Sequence, residues 1–340
     1  MAESYTAEEI AHQRRMESIF SPLAARQREE KRLKDNPDGE GPDNRGQFAH
    51  YTSADAAFQI VRSKRLWMRS TTCMADYREV DHGHDILLKY FQNNQKAEAF
   101  FAAFDSVAPG VAKAAIEYFD KAWAQLRLET YITCVSDHSS KTEDELGRLS
   151  MWRAFVPGNA RVALIFSVPW FTRATEALGV LFSPVAYLSE AEAHAVTDGV
   201  VANILREADF LRSLPAEEVH NWVVLMLVAA VCCLKHEGFA EEQEWRGVAP
   251  AAYPRSSLLK GSIETIHGVP QTVYKIPFDE KVDPRLADLD LSRILHRVII
   301  GPTPYAWVMY KAFVDELRQA GVPDPESRVW TSNIPLRDKF

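Results

Sequence analysis

The sequence predicts an α+β fold, in which a strongly bent sheet of short strands is surrounded by helices and preceded by an N-terminal helical arm. Strand-like and helix-like segments interleave irregularly, without the steady βαβ rhythm of a doubly wound sheet. The hydrophobic share of 46% and the charged share of 25% are those of a globular protein with a sizeable core. We expect residues 1–46 to form the arm and linker, and residues 47–340 a single domain with a helical insertion at about 82–127.

The N-terminal arm is predicted from a helix-prone stretch between residues 7 and 34. Apolar residues between Ile10 and Phe20 are spaced for one buried stripe. The stretch 26–34 carries charges of both signs, which is more typical of a solvated helix face than of a nucleic-acid-binding arm. The turn-forming stretch 36–42, rich in proline and glycine, then separates the arm from the main domain.

The main domain is predicted to open with a short strand that ends at Thr52, followed by a helix that Ser53 caps. Apolar runs predict the other strands, and apolar residues at three- and four-residue spacing predict the helices. Pro215, with Glu217 and Glu218 after it, marks the start of a long apolar helix. The predicted strands are 47–52, 66–68, 128–135, 160–168, 181–188, 272–276, 297–300 and 328–331. The predicted helices are 53–63, 86–104, 108–126, 146–155, 190–212, 215–236 and 304–320.

The charge and the composition of the chain argue against several classes of protein. A formal net charge of −8 and a pI near 5.7 argue against a surface built broadly to hold nucleic acid. Four cysteines in 340 residues, with no CxxC pair, form no disulfide framework. The N-terminus is too polar for a signal peptide, and the longest apolar run, 222–234, is too short to span a bilayer. We therefore expect a cytoplasmic protein.

Familiar catalytic motifs are absent from the sequence. It contains no GxGxxG, P-loop, GxSxG or HExxH pattern. The stretch 81–85, Asp-His-Gly-His-Asp, resembles metal ligands, but its position favours a solvated helix start. Cys232, Cys233 and His236 lie on an apolar helix, where cysteine usually behaves as a small core residue. No metal is expected.

The acidic stretch 241–246, Glu-Glu-Gln-Glu-Trp-Arg, is the strongest candidate for a functional site. In a strand, Glu242, Glu244 and Arg246 share one face, while Gln243 and Trp245 share the other. Such a face is either an ion-pair ladder on a solvated surface or the floor of a cleft. The residues alone leave both interpretations open.

Three further blocks carry residues suited to ligand binding. His50, Tyr51 and Thr52 end a strand directly before a helix, so that His50 and Thr52 share a face. Ser136 ends another predicted strand. Residues 150–153 place an aromatic ring and a cation, Trp152 and Arg153, in a short helix. Each block by itself is more typical of residues with a structural role than of residues with a functional role.

In this order the blocks resemble a bacterial family known as domain of unknown function 2971, over about residues 47–301. The loop at 74–79 departs from the pattern of that family. The matching residues are His50-Tyr51-Thr52, the unit from Ile60 to Trp67, Cys134-Val135-Ser136, Met151-Trp152 with Phe155, and Lys235, Phe239, Glu242, Glu244, Trp245 and Arg246. The family name implies no activity.

A second resemblance, to the ADP-ribosyltransferase fold and its DarT-like opening motif, does imply one. It implies a split sheet and an enzyme that uses NAD as substrate, with a role as a toxin or phage-defence effector. Glu244 and Glu242 would then be the catalytic carboxylates, and His50 would act at the NAD ribose. The implied NAD-binding residues are His50, Tyr51, Thr52, Ser136, Trp152 and Arg153.

The resemblance leaves the reaction and the acceptor open. The alternatives are a non-catalytic module that binds a nucleotide or a partner through the same cleft, and an NAD glycohydrolase that uses water as acceptor. For a transferase, the acidic net charge slightly favours a protein acceptor over nucleic acid. No membrane partner is expected, and the sequence does not indicate an oligomeric state.

Overall fold

The computed structural model of the protein describes residues 5–37, 45–74, 80–138, 141–154, 160–266 and 268–336. Helices surround a bent sheet of mostly short strands, which confirms the predicted α+β class. The helices are α1 (Ala7–Phe20), α2 (Pro22–Asp35), α3 (Ala54–Ser63), α4 (Asp81–Gln92), α5 (Asn94–Asp105), α6 (Val111–Glu129), α7 (Lys141–Leu146), α8 (Leu149–Ala154), α9 (Arg173–Leu178), α10 (Glu190–Arg206), α11 (Ala208–Arg212), α12 (Ala216–Cys232), α13 (Leu291–Ile294), α14 (Ala306–Gln319) and α15 (Pro325–Arg328).

The central sheet runs in the order β12-β11-β4-β1-β3-β2-β10-β9, and β8 joins it by pairing with both β3 and β5. Neighbouring strands are antiparallel, except that β11 and β12 are parallel. The strands are β1 (Arg45–Ser53), β2 (Arg65–Ser70), β3 (Tyr131–Asp137), β4 (Arg161–Pro169), β5 (Leu181–Pro184), β6 (Ala186–Tyr187), β7 (Leu234–Lys235), β8 (Glu244–Ala249), β9 (Lys260–Ile266), β10 (Val269–Pro277), β11 (Leu295–Ile300) and β12 (Val329–Thr331).

The sheet divides at β3, whose one edge pairs with two different strands. The C-terminal end of β3 pairs with β1, at Ala49↔Ser136, and its N-terminal end pairs with β2, at Arg69↔Ile132. The other edge of β3 pairs continuously with β8, from Tyr131↔Ala249 to Ser136↔Glu244. Strands β1 and β2 therefore diverge from each other, and His50 lies at the point where β1 leaves β3.

Apolar cores cover both faces of the sheet. On one face, helices α1, α4, α5, α6, α10 and α12 pack around Ile132 of β3 and Val248 of β8. On the other face, α3 and α14 pack against β2, β4 and β11. The centre of the sheet, where β1, β3 and β8 run side by side, is consequently screened from solvent on both sides.

Several predicted boundaries were wrong for local reasons. The helix predicted at 86–104 is two helices, because the Asn93 side chain caps α5 by accepting from the Lys96 N–H. The helix predicted at 190–212 is likewise divided at Glu207. The strand predicted at 128–135 begins later, since α6 continues to Glu129. Strand β9 was not among the predicted strands.

Other expectations lie partly or wholly outside the described residues. These are most of the predicted linker at 36–42, most of the loop motif at 74–79, and Phe155. In the part of the chain that is described, no helix combines the length and the apolar character needed to cross a membrane.

Candidate functional site

The candidate site is built on three adjacent strands, β1, β3 and β8. Ala49, Ser136 and Glu244 lie on one rung across these strands. Because directly paired residues share a face and successive residues alternate, the sheet has two chemically different faces here. The carboxylate face carries Cys134, Ser136, Glu244 and Arg246. The cavity face carries Thr133, Val135, Trp245 and Gly247.

Glu244 is buried within a network of opposite charges on the carboxylate face. Only 5% of it is exposed. Its Oε1 lies 2.8 Å from Arg246 Nε, and its Oε2 lies 3.1 Å from Arg246 Nη2 and 3.3 Å from Lys235 Nζ. Burial by itself would raise the pKa of Glu244, but Arg246 and Lys235 outweigh burial and lower the pKa to about 2. Glu244 is therefore ionised at neutral pH.

Arg246 is fully buried and completes this network. Besides its two contacts with Glu244, its Nη1 donates to the carbonyl oxygen of Cys232, at the end of α12. Its guanidinium therefore links β8 to the helical layer. Because Glu244 and Arg246 are buried, the network is not an ion-pair ladder on a solvated surface, which was one of the two alternatives that the sequence left open.

Glu242 differs from Glu244 in position and in charge state. It ends a short 3₁₀ turn, Glu237–Glu242, and Gln243 then enters the left-handed region at φ 45° before β8 begins. The prediction that Glu242 belongs to the strand was thus wrong, although its Oε2 still reaches Lys235 Nζ at 2.8 Å. Its side chain is 21% exposed, and burial raises its pKa although Lys235 opposes the shift. Glu242 is the more accessible and the more basic carboxylate of the pair.

His50 presents a defined tautomer. Its Nδ1 lies 2.9 Å from the carbonyl oxygen of Cys134, so Nδ1 carries the proton and donates it to this hydrogen bond. Burial lowers the pKa of His50, which keeps the ring neutral. Nε2 is then a hydrogen-bond acceptor.

The structure brings His50, Ser136 and Glu244 onto neighbouring strands but not onto one face. Ala49 pairs with Ser136, so His50, the next residue, projects toward the face opposite to Glu244. Thr52 lies on the same side of β1 as His50 and is half-buried.

Ser136 and Tyr51 pack against α8, the helix that carries Trp152. Ser136 is 2% exposed, and its Oγ lies 3.8 Å from Met151 Sδ. Trp152 is fully buried and donates from Nε1 to the carbonyl oxygen of Leu146. The Tyr51 ring meets the Trp152 ring edge-on at 4.9 Å between centroids. Neither ring offers a free face to a ligand in this arrangement, whereas Arg153 is exposed.

Arg148 is a positioning residue that the sequence did not single out. Its guanidinium donates to the carbonyl oxygens of Asp137 and Glu242 at 2.7 and 3.2 Å, and to Gln243 Oε1 at 2.9 Å. Its backbone N–H donates to the Tyr51 hydroxyl. Arg148 thereby fixes the turn that carries Glu242 against the end of β3. The contacts with Glu242 and Gln243 cross 94 and 95 residues of chain, so no local sequence pattern predicts them.

The protein is thus of a mixed α+β class, with a divided bent sheet and a buried charge network at its centre. Residues 151–247 match a family model described as a protein of unknown function, DUF2971. The match starts at Met151 and ends at Gly247, so it includes the Met151-Trp152 and Lys235–Arg246 blocks but covers less than a third of the chain. No curated protein and no solved structure matches the chain.

Proposed function

We propose that the protein is an ADP-ribosyltransferase-like enzyme that cleaves NAD, with Glu242, Glu244 and His50 as its catalytic residues. The observation that carries the proposal is the grouping around β3 of an ionised carboxylate on β8, a more basic carboxylate on the turn before β8, and a neutral acceptor imidazole on β1. In this reaction NAD would have to contact His50 and the two carboxylates, although His50 and Glu244 lie on opposite faces of the sheet. A toxin or phage-defence role is consistent with such an activity.

The two carboxylates suit two steps of one substitution. The bond between the ribose C1′ and the nicotinamide nitrogen breaks, and nicotinamide leaves with the electron pair. The positive charge that develops on the ribose is stabilised by a fixed negative charge, here Glu244. The acceptor oxygen or nitrogen then bonds to C1′ and loses its proton to Glu242, whose raised pKa suits a general base.

The binding roles follow from exposure and hydrogen-bonding capacity. His50 Nε2 would accept a hydrogen bond from a ribose hydroxyl, with Thr52 beside it. Arg153 is exposed and suited to pair with the pyrophosphate. Tyr51, Ser136 and Trp152 would contact the nicotinamide end only after α8, which carries Trp152, moves away from β1 and β3. In the packed arrangement they hold β1, β3 and α8 together.

Incubation with NAD labelled in its adenylate half tests the reaction. We expect label on an acceptor, with protein favoured over nucleic acid, and loss of labelling in both Glu242→Gln and Glu244→Gln. Glu241→Gln is the matched control, because Glu241 is an exposed neighbour. Free ADP-ribose would instead identify a glycohydrolase. If neither product forms, the proposed reaction is wrong.

A non-catalytic binding module is the second candidate, and one observation favours it. Both carboxylate oxygens of Glu244 are already occupied by Arg246 and Lys235. A pure binding module would retain NAD, lose it in His50→Ala, and release no nicotinamide. Equilibrium binding of NAD, measured beside the labelling assay, separates the two candidates.

A further inference from the structure

A cavity of about 200 Å³ lies on the cavity face of the sheet, away from the charge network. Its floor includes Thr133, Val135 and Gly247, and Phe48 of β1 and Phe182 of β5 contribute aromatic walls. An apolar cavity of roughly 150 Å³ in another protein is known to hold benzene. This cavity therefore has room for one aromatic ring with a small substituent.

Besides Arg28 Nε, which is paired with Glu17 by charge, two uncharged buried polar groups of the cavity lining lack hydrogen-bond partners among the described residues. They are the Thr133 hydroxyl and the Trp170 indole N–H, on residues that are 7% and 8% exposed. An unpaired buried donor is unfavourable, because it has lost its hydrogen bond to water without gaining another. Since Trp170 Nε1 can only donate, its partner must be an acceptor. A bound molecule with an acceptor atom would supply it.

The charges that line the cavity compensate each other. Arg28 and Glu17 are the charged residues in the described part of the lining, and Arg28 Nε lies 3.4 Å from Glu17 Oε2. Arg28 Nη2 also donates to the carbonyl oxygen of Phe182. The cavity thus offers no unpaired charge to an ionic ligand, which favours an uncharged one.

Aromatic rings dominate the walls of the cavity. The Phe48 ring meets the Phe182 and Trp170 rings at 5.1 and 5.9 Å between centroids. Trp170 can approach β1 so closely because Gly46 lies beneath it, where an added Cβ would come within 2.5 Å of the indole. Flat aromatic walls suit a flat ligand, since ring edges and faces attract each other.

We propose that this cavity binds a small uncharged aromatic molecule carrying a carbonyl group, which accepts hydrogen bonds from Trp170 and Thr133. The N-terminal arm closes the cavity, because Tyr5, Gln13 and Glu17 line it as well. The proposal is independent of the NAD chemistry, since His50, Glu242 and Glu244 are absent from the described lining.

The test uses two probes of similar shape, acetophenone and ethylbenzene, which differ in the carbonyl oxygen. Each is titrated calorimetrically into the full-length protein, into Thr133→Val and into Trp170→Phe. Both substitutions remove a donor and keep most of the side-chain volume. We expect each to weaken acetophenone binding about threefold to tenfold, as for the loss of one hydrogen bond, and to leave ethylbenzene binding unchanged.

Matched controls remove equivalent groups elsewhere in the chain. Thr130 and Trp67 also have a buried hydroxyl or indole N–H without a partner among the described residues, yet neither lines the cavity. Thr130→Val and Trp67→Phe should bind both probes as the wild type does. Circular dichroism verifies folding, and Thr133→Val alone decides the outcome if Trp170→Phe does not fold. Failure of the wild type to bind acetophenone, or equal losses in the controls, would overturn the proposal.

Discussion

The two faces of the sheet differ sharply although their residues are neighbours in the chain. On the carboxylate face, both oxygens of Glu244 are paired with Arg246 and Lys235 in a tightly packed network. On the cavity face, one residue along, Trp245 belongs to an aromatic cluster beside a cavity that contains unpaired donors. The charged groups of the carboxylate face are paired with one another, whereas donors on the cavity face lack partners among the described residues. These arrangements indicate different roles: the carboxylate face fixes the electrostatics, and the cavity face keeps donors that a ligand could use.

The largest expected effect comes from removing Arg246. Arg246→Ala leaves Glu244 buried with Lys235 as its remaining cation, and breaking a buried ion pair in this way costs about 3–5 kcal/mol. Urea denaturation measures the loss in the free energy of unfolding. Arg293→Ala is the control, because Arg293 is exposed and lies 3.7 Å from Glu280. It should change stability by less than about 0.5 kcal/mol. Equal effects of the two substitutions would show that the network is not a structural unit.

Some of this contrast could be predicted from the sequence. Strand alternation correctly placed Glu244 and Arg246 on one face and Trp245 on the other. It failed for Glu242, because the left-handed Gln243, at φ 45°, ends the alternation, and glutamine gives no local signal for that conformation.

The placement of His50 and Glu244 on opposite faces of the sheet could not be predicted, since it depends on the register of β1, β3 and β8. A shift of one residue in that register would bring His50 and Glu244 onto the same face. The cavity was also missed. Its lining is drawn from the arm, β1, β3, β5 and the segment around Trp170, and only the tertiary fold assembles these.

Acid should weaken the carboxylate face in a defined range. The pKa of Glu244 is lowered from 4.5 to about 2, so its ion pairs stabilise the folded state fully above pH 4.5, and this stability is lost as the pH falls toward 2. Urea denaturation at several pH values should show a smaller loss over this range for Glu244→Gln than for the wild type. Parallel losses in the two proteins would contradict the assigned shift.

Two threonines that line the cavity should respond with opposite signs to the same substitution. Thr133→Val removes a buried hydroxyl without a described partner and should raise the free energy of unfolding by about 1 kcal/mol. Thr172 caps α9 by accepting from the Ala174 N–H, so Thr172→Val should lower it by about 1 kcal/mol. Chemical denaturation of both variants measures these two changes in the free energy of unfolding. A destabilised Thr133→Val would mean that its hydroxyl is already satisfied.

The smallest effect is expected at the arm that closes the cavity. Glu9 of α1 contacts Arg173 of α9 at 2.8 Å, and both side chains are partly solvated. Glu9→Gln should therefore speed the entry and exit of acetophenone and leave its dissociation constant nearly unchanged. Stopped-flow tryptophan fluorescence measures both rates, with the exposed neighbour Glu8→Gln as control. A changed dissociation constant with unchanged rates would argue against the arm as the barrier.

Release of nicotinamide from NAD tests the proposed function most directly, because transferase and glycohydrolase both produce it. We expect steady release by the wild type, and loss of release in Glu242→Gln and Glu244→Gln. Trp170→Phe should keep the activity, since Trp170 lines a cavity whose described lining includes none of the three proposed catalytic residues. Absence of nicotinamide from the wild-type reaction, or equal release by the wild type and both glutamate variants, would contradict the proposed function.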